Sequence, residues 1–305
     1  MSQIARNSLF VLFMIWSSVL WACSGSASAP TDTDIPSSQV VPSTVAPTIT
    51  PIPPTPTPTP EPLAAIVNGE GITLAEVQDE LRRFQDANPN YSGDAQSFVL
   101  DDLINQVLLA QGAQEAGFVV DEAMLEGRLT PLMEGIGGET AFSDWLGANH
   151  YTLESFKRAL SRAIASAWMR DQIISSVPQE MEQVHARQIL LADMNQAIEV
   201  VAQLESGKDF ATLALVYDPI TMGDLGWFPR GYLADAKLEE VAFDLQPNEI
   251  SDIIETSMGY HLIQVIERDP ARPLEPDARL VLQQKAVANW LEQRRAKSKV
   301  IIHLP

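Results

Sequence analysis

Cysteine and positive charge are the two properties this sequence has least of. Cys23 is the only cysteine in 305 residues, so the chain can form neither an internal disulfide nor a cysteine-based metal site. Lys and Arg total 20 against 40 Asp and Glu, a formal net charge of −20. Phosphate binding needs clustered positive charge, so nucleic acid is not an expected partner. The four histidines show no metal-ligand spacing, and no metal or other cofactor is expected. They are His150, His185, His261 and His303.

The first 22 residues differ from the rest in their apolar character. One basic residue, Arg6, precedes an apolar run from Leu9 to Ala22. A membrane span needs about 20 apolar residues, so this shorter run is more typical of an export signal. The stretch "LWAC" resembles the lipobox of bacterial lipoproteins, which implies cleavage before Cys23 and lipidation of its thiol. Cleavage after Ala29 and an uncleaved anchor are the alternatives.

Residues 23–61 form a segment rich in Ser, Thr, Ala and Pro. Eleven of the 21 prolines lie between Pro30 and Pro62. This composition cannot bury a core and favours extended polyproline II. At about 3.1 Å per residue, such a stalk reaches on the order of 100 Å.

Residues 62–178 are predicted to be mainly helical. A short strand at Ala64–Asn68 and a turn at Asn68–Gly69 come first. A helix follows, with capping-box spacing at Thr73 and Glu76 and an apolar stripe behind it. Four more helices are predicted before residue 178, the last of them capped by Thr152.

Residues 179–270 have the pattern of a compact α+β unit. The strand "VHARQILL" is followed by two helices, the glycine-framed loop "GDLGWF", a short helix and a closing strand, "GYHLIQVIER". Residues 271–305 add a long helix and a terminal strand, "KVIIHLP". A lone terminal strand needs a partner, and Ala64–Asn68 is the candidate. The predicted fold class is therefore α+β, with the α+β unit inserted into a split helical domain.

The ordered set "HARQILL", "GKDFATLA", "GDLGWFPRGYL", "LEEVAF" and "SMGYHLIQVIE" resembles the parvulin family of peptidyl-prolyl isomerases. The flanking parts, among them "AIVNGEGIT" and "LINQVLLAQGAQEAG", resemble the chaperone domain of SurA/PrsA-type foldases. The resemblance implies isomerisation of X–Pro bonds by the inserted unit. It also implies that the helical domain binds unfolded chains.

By this resemblance, the polar part of the site consists of Gln188, Asp218 and His261. Gln188 shares a strand face with Val184 and Ala186, and it occupies the position where parvulins usually carry a first histidine. A glutamine amide both donates and accepts hydrogen bonds, as neutral histidine does, so reduced but not abolished activity is expected. The alternative is a half-exposed polar residue that merely has a hydrogen-bond partner.

The apolar part of the site also follows from the resemblance, which implies a pocket that holds the proline ring. The substrate-binding residues are then Leu225, Phe228, Leu233, Leu238, Thr256 and Met258. The alternative for the apolar members is a place in the core.

These features together predict a lipid-anchored foldase on the outer face of a bacterial membrane, cell-surface or periplasmic. Its partners are then unfolded or proline-containing exported proteins, and the lipid anchor is its contact with the membrane. One alternative is a non-catalytic holdase whose parvulin unit only binds peptides. Another is a surface protein whose stalk presents a scaffold.

Overall fold

The fold is that of a computed structural model, which describes residues 61–304. Within that range seven strands form two antiparallel sheets, accompanied by nine helices. The strands are β1 Leu63–Val67, β2 Glu70–Thr73, β3 Glu180–Leu191, β4 Asp224–Pro229, β5 Ile254–Thr256, β6 Gly259–Pro273 and β7 Val300–Ile302. The helices are α1 Leu74–Ala87, α2 Ala95–Glu115, α3 Glu122–Ile136, α4 Glu139–Ala148, α5 Leu153–Ser175, α6 Met194–Glu205, α7 Phe210–Tyr217, α8 Ala236–Asp244 and α9 Pro276–Lys297. The predicted signal peptide, Cys23 and the stalk up to residue 60 lie outside the described residues.

The smaller sheet has the order β2-β1-β7. Strand β7 pairs with β1 in antiparallel register, with Ile66 opposite Ile301, which confirms the predicted partner of the terminal strand. Strand β2 was missed, because "EGIT" was taken into the turn and helix. Asn68 and Gly69 have φ values of 54° and 93°, and this backbone matches the twist of a two-residue hairpin.

Helices α1 to α5 and α9 form the helical body beside this sheet. The side chain of Thr73 accepts a hydrogen bond from the Glu76 amide at 3.1 Å, which confirms Thr73 as the cap of α1. The return bond of a capping box is not formed, because the Glu76 carboxylate pairs with Arg162 instead. Thr152 caps α5 as predicted. The core is deepest along α2, where Ile104, Val107 and Leu108 are fully buried. Among residues 61–304, no helix has the length and apolar character required to cross a bilayer.

The larger sheet has the order β4-β3-β6-β5 and is covered on both faces. Val184 and Ala186 of β3 pack in one apolar cluster with residues of α8. Ile189 and Leu191 belong to a second cluster with α6 and α7. The alternation predicted for β3 is therefore present, with Val184 and Ala186 on one face.

The prediction of a loop at "GDLGWF" was wrong, because most of this stretch is strand β4. Gly226 has a φ of 68° and lies opposite Ala186, where the register between β3 and β4 shifts. A glycine at such a bulge lets a strand continue through a conformation that other residues avoid. Strand β5 was also not predicted.

The predicted domain limits at residues 178/179 and 270/271 stay predictions. The larger sheet begins at Glu180 in β3 and ends at Pro273 in β6. These two strands pair with each other from one end of β3 to the other.

Candidate active site

Gln188 and His261 face each other across the two central strands of the larger sheet. Gln188 on β3 pairs with Ile263 on β6, so His261 is its diagonal neighbour on the same face. Nδ1 of His261 lies 3.0 Å from Oε1 of Gln188. An amide oxygen only accepts hydrogen bonds, so Nδ1 of the imidazole carries the hydrogen.

Thr256 completes the contacts of the His261 ring from the turn between β5 and β6. Its Oγ1 lies 2.9 Å from Nε2 of His261, and it also accepts a hydrogen bond from the Met258 amide at 3.1 Å. Because Nδ1 already carries the hydrogen, Nε2 accepts one from the Thr256 hydroxyl. Gln188, His261 and Thr256 thus form a neutral network in which both ring nitrogens are paired.

His261 is only 2% exposed, and this burial lowers the pKa of the imidazole below its ordinary value. The negative charge of Asp235 acts in the opposite direction but is the smaller effect. The ring is therefore neutral at pH 7.

Two glycines position this network through backbone conformations that other residues rarely adopt. Gly223, just before β4, has a φ of 70°, and its carbonyl accepts a hydrogen bond from the Gln188 amide at 2.8 Å. A Cβ on Gly223 would lie 1.9 Å from the Gln188 carbonyl oxygen. Gly259 has a φ of 136°, and a Cβ there would lie 2.4 Å from the Leu191 carbonyl oxygen.

Asp218 lies outside the network. It follows α7, and its Oδ1 accepts hydrogen bonds from the amides of Ile220 and Thr221, each at 3.1 Å, while Oδ2 accepts one from the Thr221 hydroxyl. These bonds lower the pKa of the carboxyl group, first of all the one from the Thr221 side chain. Among the described residues, Asp218 makes no hydrogen bond to Gln188 or His261. Its catalytic role stays a prediction.

The predicted pocket residues divide into a buried and an accessible group. Phe228 is fully buried and Leu238 is 8% exposed, so both lie in the interior. Leu225 and Leu233 pack against the same cluster but remain partly exposed. Met258 is 74% exposed on the turn that carries Thr256. Among the predicted apolar pocket residues, Leu225 and Leu233 are therefore the two that combine packing on this cluster with partial exposure, and their contact with a proline ring stays a prediction.

Two exposed apolar side chains in the turn before Gly223 were not singled out from the sequence. Ile220 is 88% exposed, and Met222 is 50% exposed with a φ of 56°. Both belong to the turn that Asp218 holds, directly before Gly223. The signal available in the sequence was two large apolar residues in a short segment between a helix and two glycines.

Within residues 61–304, no group of three or more His, Cys, Asp or Glu side chains is placed to hold a metal ion. What the site does contain is a neutral polar network beside an apolar surface.

Comparison with known proteins assigns both parts of the chain to known families. A family model described as the PPIC-type PPIASE domain matches residues 173–269, and one described as the SurA-like N-terminal domain matches residues 55–170. The foldase protein PrsA of Caldanaerobacter subterraneus subsp. tengcongensis is 30% identical over 231 residues, which are 66% of this chain and 72% of that protein. The chain belongs to the PrsA foldase family.

Other relatives match at similar or lower levels. PrsA of Halalkalibacterium halodurans is 29% identical over 226 residues, 66% of this chain and 64% of that protein. The chaperone SurA of Burkholderia pseudomallei is 32% identical over 144 residues, 40% of this chain and 32% of its own length. The crystal structure of PrsA from Bacillus cereus superposes with a TM-score of 0.43 at 20% identity, over 76% of this chain and 84% of that one.

Proposed function

We propose that this chain is an extracytoplasmic, lipid-anchored foldase that isomerises X–Pro bonds in exported proteins and binds unfolded clients. The observation that carries the catalytic part is the chain of hydrogen bonds from Gln188 through His261 to Thr256, on the sheet face that also carries the partly exposed Leu225 and Leu233. Membership of the PrsA family supports the same proposal.

The chemistry required of the site is modest. Rotation about a peptide bond has a barrier of about 18–20 kcal/mol, and uncatalysed X–Pro isomerisation takes tens to hundreds of seconds. The enzyme need only bind the twisted amide better than the planar one. Leu225 and Leu233 hold the proline ring and exclude water, which otherwise stabilises the charge separation of the planar amide. The neutral network holds the buried His261 ring in one orientation, and it donates no proton to the bound peptide.

The alternative is a non-catalytic holdase, and two observations favour it. Gln188 replaces the histidine usual in parvulins, and Asp218 directs its carboxylate to its own turn. Under this alternative the parvulin unit binds peptides without accelerating their isomerisation.

A prolyl cis/trans assay on the full chain separates the two functions. The foldase proposal expects a rate above that of buffer, a loss of rate in His261→Ala, and a gain in Gln188→His. Asp218→Ala measures what the Asp218 carboxylate contributes. The matched control is His303→Ala, since His303 is exposed and lies beyond β7. A wild-type rate equal to that of buffer rejects the enzyme and favours the holdase, which must then delay aggregation of an unfolded client.

The membrane anchor is proposed from "LWAC" and the apolar run before it. Cys23→Ala is expected to move the protein from the membrane to the soluble fraction and to abolish incorporation of a labelled fatty acid. Unchanged membrane association in this variant rejects the lipid anchor and favours an uncleaved one.

A further inference from the structure

The loop between β4 and α8 carries Leu233 and is held from within its own unit by Glu239. Oε1 of Glu239 accepts a hydrogen bond from the Gly231 amide at 2.6 Å, and Oε2 accepts one from the Leu233 amide at 3.0 Å. The amides of Gly231 and Leu233 are therefore both held by the Glu239 carboxylate, which lies on the first turn of α8.

The carbonyl groups of the same two residues are held from outside the unit, by helix α9. Nζ of Lys285 lies 2.5 Å from the Gly231 carbonyl oxygen and 3.4 Å from that of Leu233. A hydrogen bond from an ammonium group to a carbonyl is stronger than a bond between neutral groups.

Two further contacts join α9 to this loop. The Tyr232 hydroxyl donates to Oδ2 of Asp277 at 3.0 Å, and this bond raises the pKa of the phenol. A Cβ on Gly231 would lie only 3.0 Å from Cδ2 of Leu282, so the Leu282 side chain packs closely on the loop backbone. Asp277, Leu282 and Lys285 lie along the first half of α9.

The second half of α9 is fastened to the helical body. Arg294 forms an ion pair with Glu115 of α2, with Nη1 2.8 Å from Oε2. Nε of Arg295 donates to Oδ1 of Asn105 at 2.9 Å. The Trp290 ring lies against Gly112, where a Cβ would be 2.7 Å from the ring. One helix therefore contacts both the core of the helical body and the loop that carries Leu233.

We propose that Lys285 is a positioning residue for the proline pocket, acting on Leu233 through the backbone of residues 231–233. This inference rests on the proposed isomerase function, because it assigns Leu233 to the pocket wall. Glu239 binds the amide of Leu233 and Lys285 binds its carbonyl, so the direction of the Leu233 side chain depends on both. A wall held in place before the substrate arrives binds more tightly than one that has to be ordered. The helical body thus contributes to the shape of the isomerase pocket through the Lys285 ammonium group, beside the contacts that Asp277 and Leu282 make with the same loop.

The test compares Lys285→Met, which keeps the length of the side chain but removes the donor, with Lys285→Arg, which retains a donor. Lys208→Met in the full chain is the matched control, because Lys208 makes its bond to Gln203 at the end of α6. The probe is a tetrapeptide with one X–Pro bond. Loss of the ammonium contact is expected to raise the KM and the Kd about two- to ten-fold, with a smaller decrease in kcat, since Leu233 holds the proline ring in both states and also excludes water from the twisting amide. Lys285→Arg is expected to restore most of the affinity.

A readout independent of catalysis is amide hydrogen exchange in the loop. Exchange at Gly231 and Leu233 is expected to become faster in Lys285→Met and to stay at the wild-type rate in Lys208→Met. Unchanged exchange, or faster exchange with unchanged peptide affinity, overturns the positioning role.

Failure of the proposed function has a different signature. If the wild-type chain binds the tetrapeptide but does not accelerate its isomerisation, the isomerase is rejected. The Kd and exchange comparisons then still decide the role of Lys285. A wild-type chain that neither binds nor isomerises the tetrapeptide overturns both proposals.

Discussion

The hydrogen bond between Gln188 and His261 has a fixed direction, because the side-chain amide of Gln188 does not titrate near neutral pH. The amide oxygen of Gln188 accepts from Nδ1 of His261, so the imidazole is held in one tautomer. A second histidine at position 188 would bring a second titratable ring into the same network. The glutamine orients His261 equally well at any pH at which the ring is neutral.

Removal of this acceptor is expected to reduce both stability and isomerase rate. Gln188→Leu leaves the buried Nδ1–H of His261 without a partner, which costs about 1–3 kcal/mol. Urea unfolding measures the stability, and the prolyl assay measures the rate. Gln196→Leu is the control, because Gln196 is exposed on α6. Equal unfolding free energies in the two variants would mean that the bond from His261 to Gln188 contributes nothing.

The buried His261 ring makes stability depend on pH in a known direction. Its folded pKa lies below the unfolded value of 6.5 because burial disfavours the charged ring. As the pH falls through 6.5 toward the folded pKa, the unfolded chain binds more protons than the folded chain, and the unfolding free energy decreases. Stability from this group is complete above pH 6.5 and is lost on acidification.

The prediction is tested by urea unfolding at several pH values from about 7.5 down to about 5.5. His261→Gln cannot titrate, so its unfolding free energy is expected to fall less over this interval than that of the wild type. Identical pH slopes for the two chains would show that His261 is not the group responsible.

At the scale of elements, two turns determine where the network lies. The turn before β4 approaches the Gln188 carbonyl so closely that residue 223 must be glycine, and the β5–β6 turn similarly requires Gly259. The sequence showed both glycines, but their roles follow from which backbone groups lie opposite them.

Gly223→Ala is expected to destabilise the parvulin unit far more than Gly226→Ala. Both glycines have φ near 70°, so alanine costs roughly 1–2 kcal/mol in backbone conformation at either position. Only at Gly223 does the new Cβ also collide with the Gln188 carbonyl oxygen, whereas nothing lies within 4 Å of a Cβ on Gly226. Denaturant unfolding and the prolyl assay measure the difference. Equal losses in the two variants would contradict the close approach to Gln188.

At the scale of the whole molecule, the two ends of the described chain meet in one sheet. Strand β7 lies beside β1, and the His303 amide donates to the Ala64 carbonyl at 2.8 Å. Leu304 packs against the core of the helical body. The strands of the larger sheet lie between β1 and β7 in the sequence. The helical body can therefore be completed only after the parvulin unit has been synthesised.

Deletion of residues 300–305 is expected to destabilise the helical body and to leave the parvulin unit nearly unchanged. The deletion exposes the β1 edge and removes several backbone hydrogen bonds, each of which contributes about 0.5–1.5 kcal/mol. Calorimetry on the full and shortened chains measures this effect, and the prolyl assay reports on the parvulin unit. A shortened chain with unchanged unfolding temperature would show that β7 is dispensable.

Features that depend on neighbours within one or two turns were determined by the sequence alone. The caps at Thr73 and Thr152, the hairpin turn at Asn68–Gly69 and the face on which Gln188 lies all depend on local geometry. The terminal strand and its partner were also predicted, because an unpaired strand has unsatisfied backbone groups.

Only the tertiary structure decided which distant groups meet. Thr256 joins His261 while Asp218 turns back to its own loop, since each hydroxyl and carboxylate binds the donors that sheet register and turn conformation bring near it. "GDLGWF" became a strand because a bulge opposite Ala186 accommodates Gly226. The contact between Lys285 and the loop before α8 has no local signal, because more than fifty residues separate its partners. Such contacts depend on how whole elements pack, and that packing is the part of the site that short-range patterns do not contain.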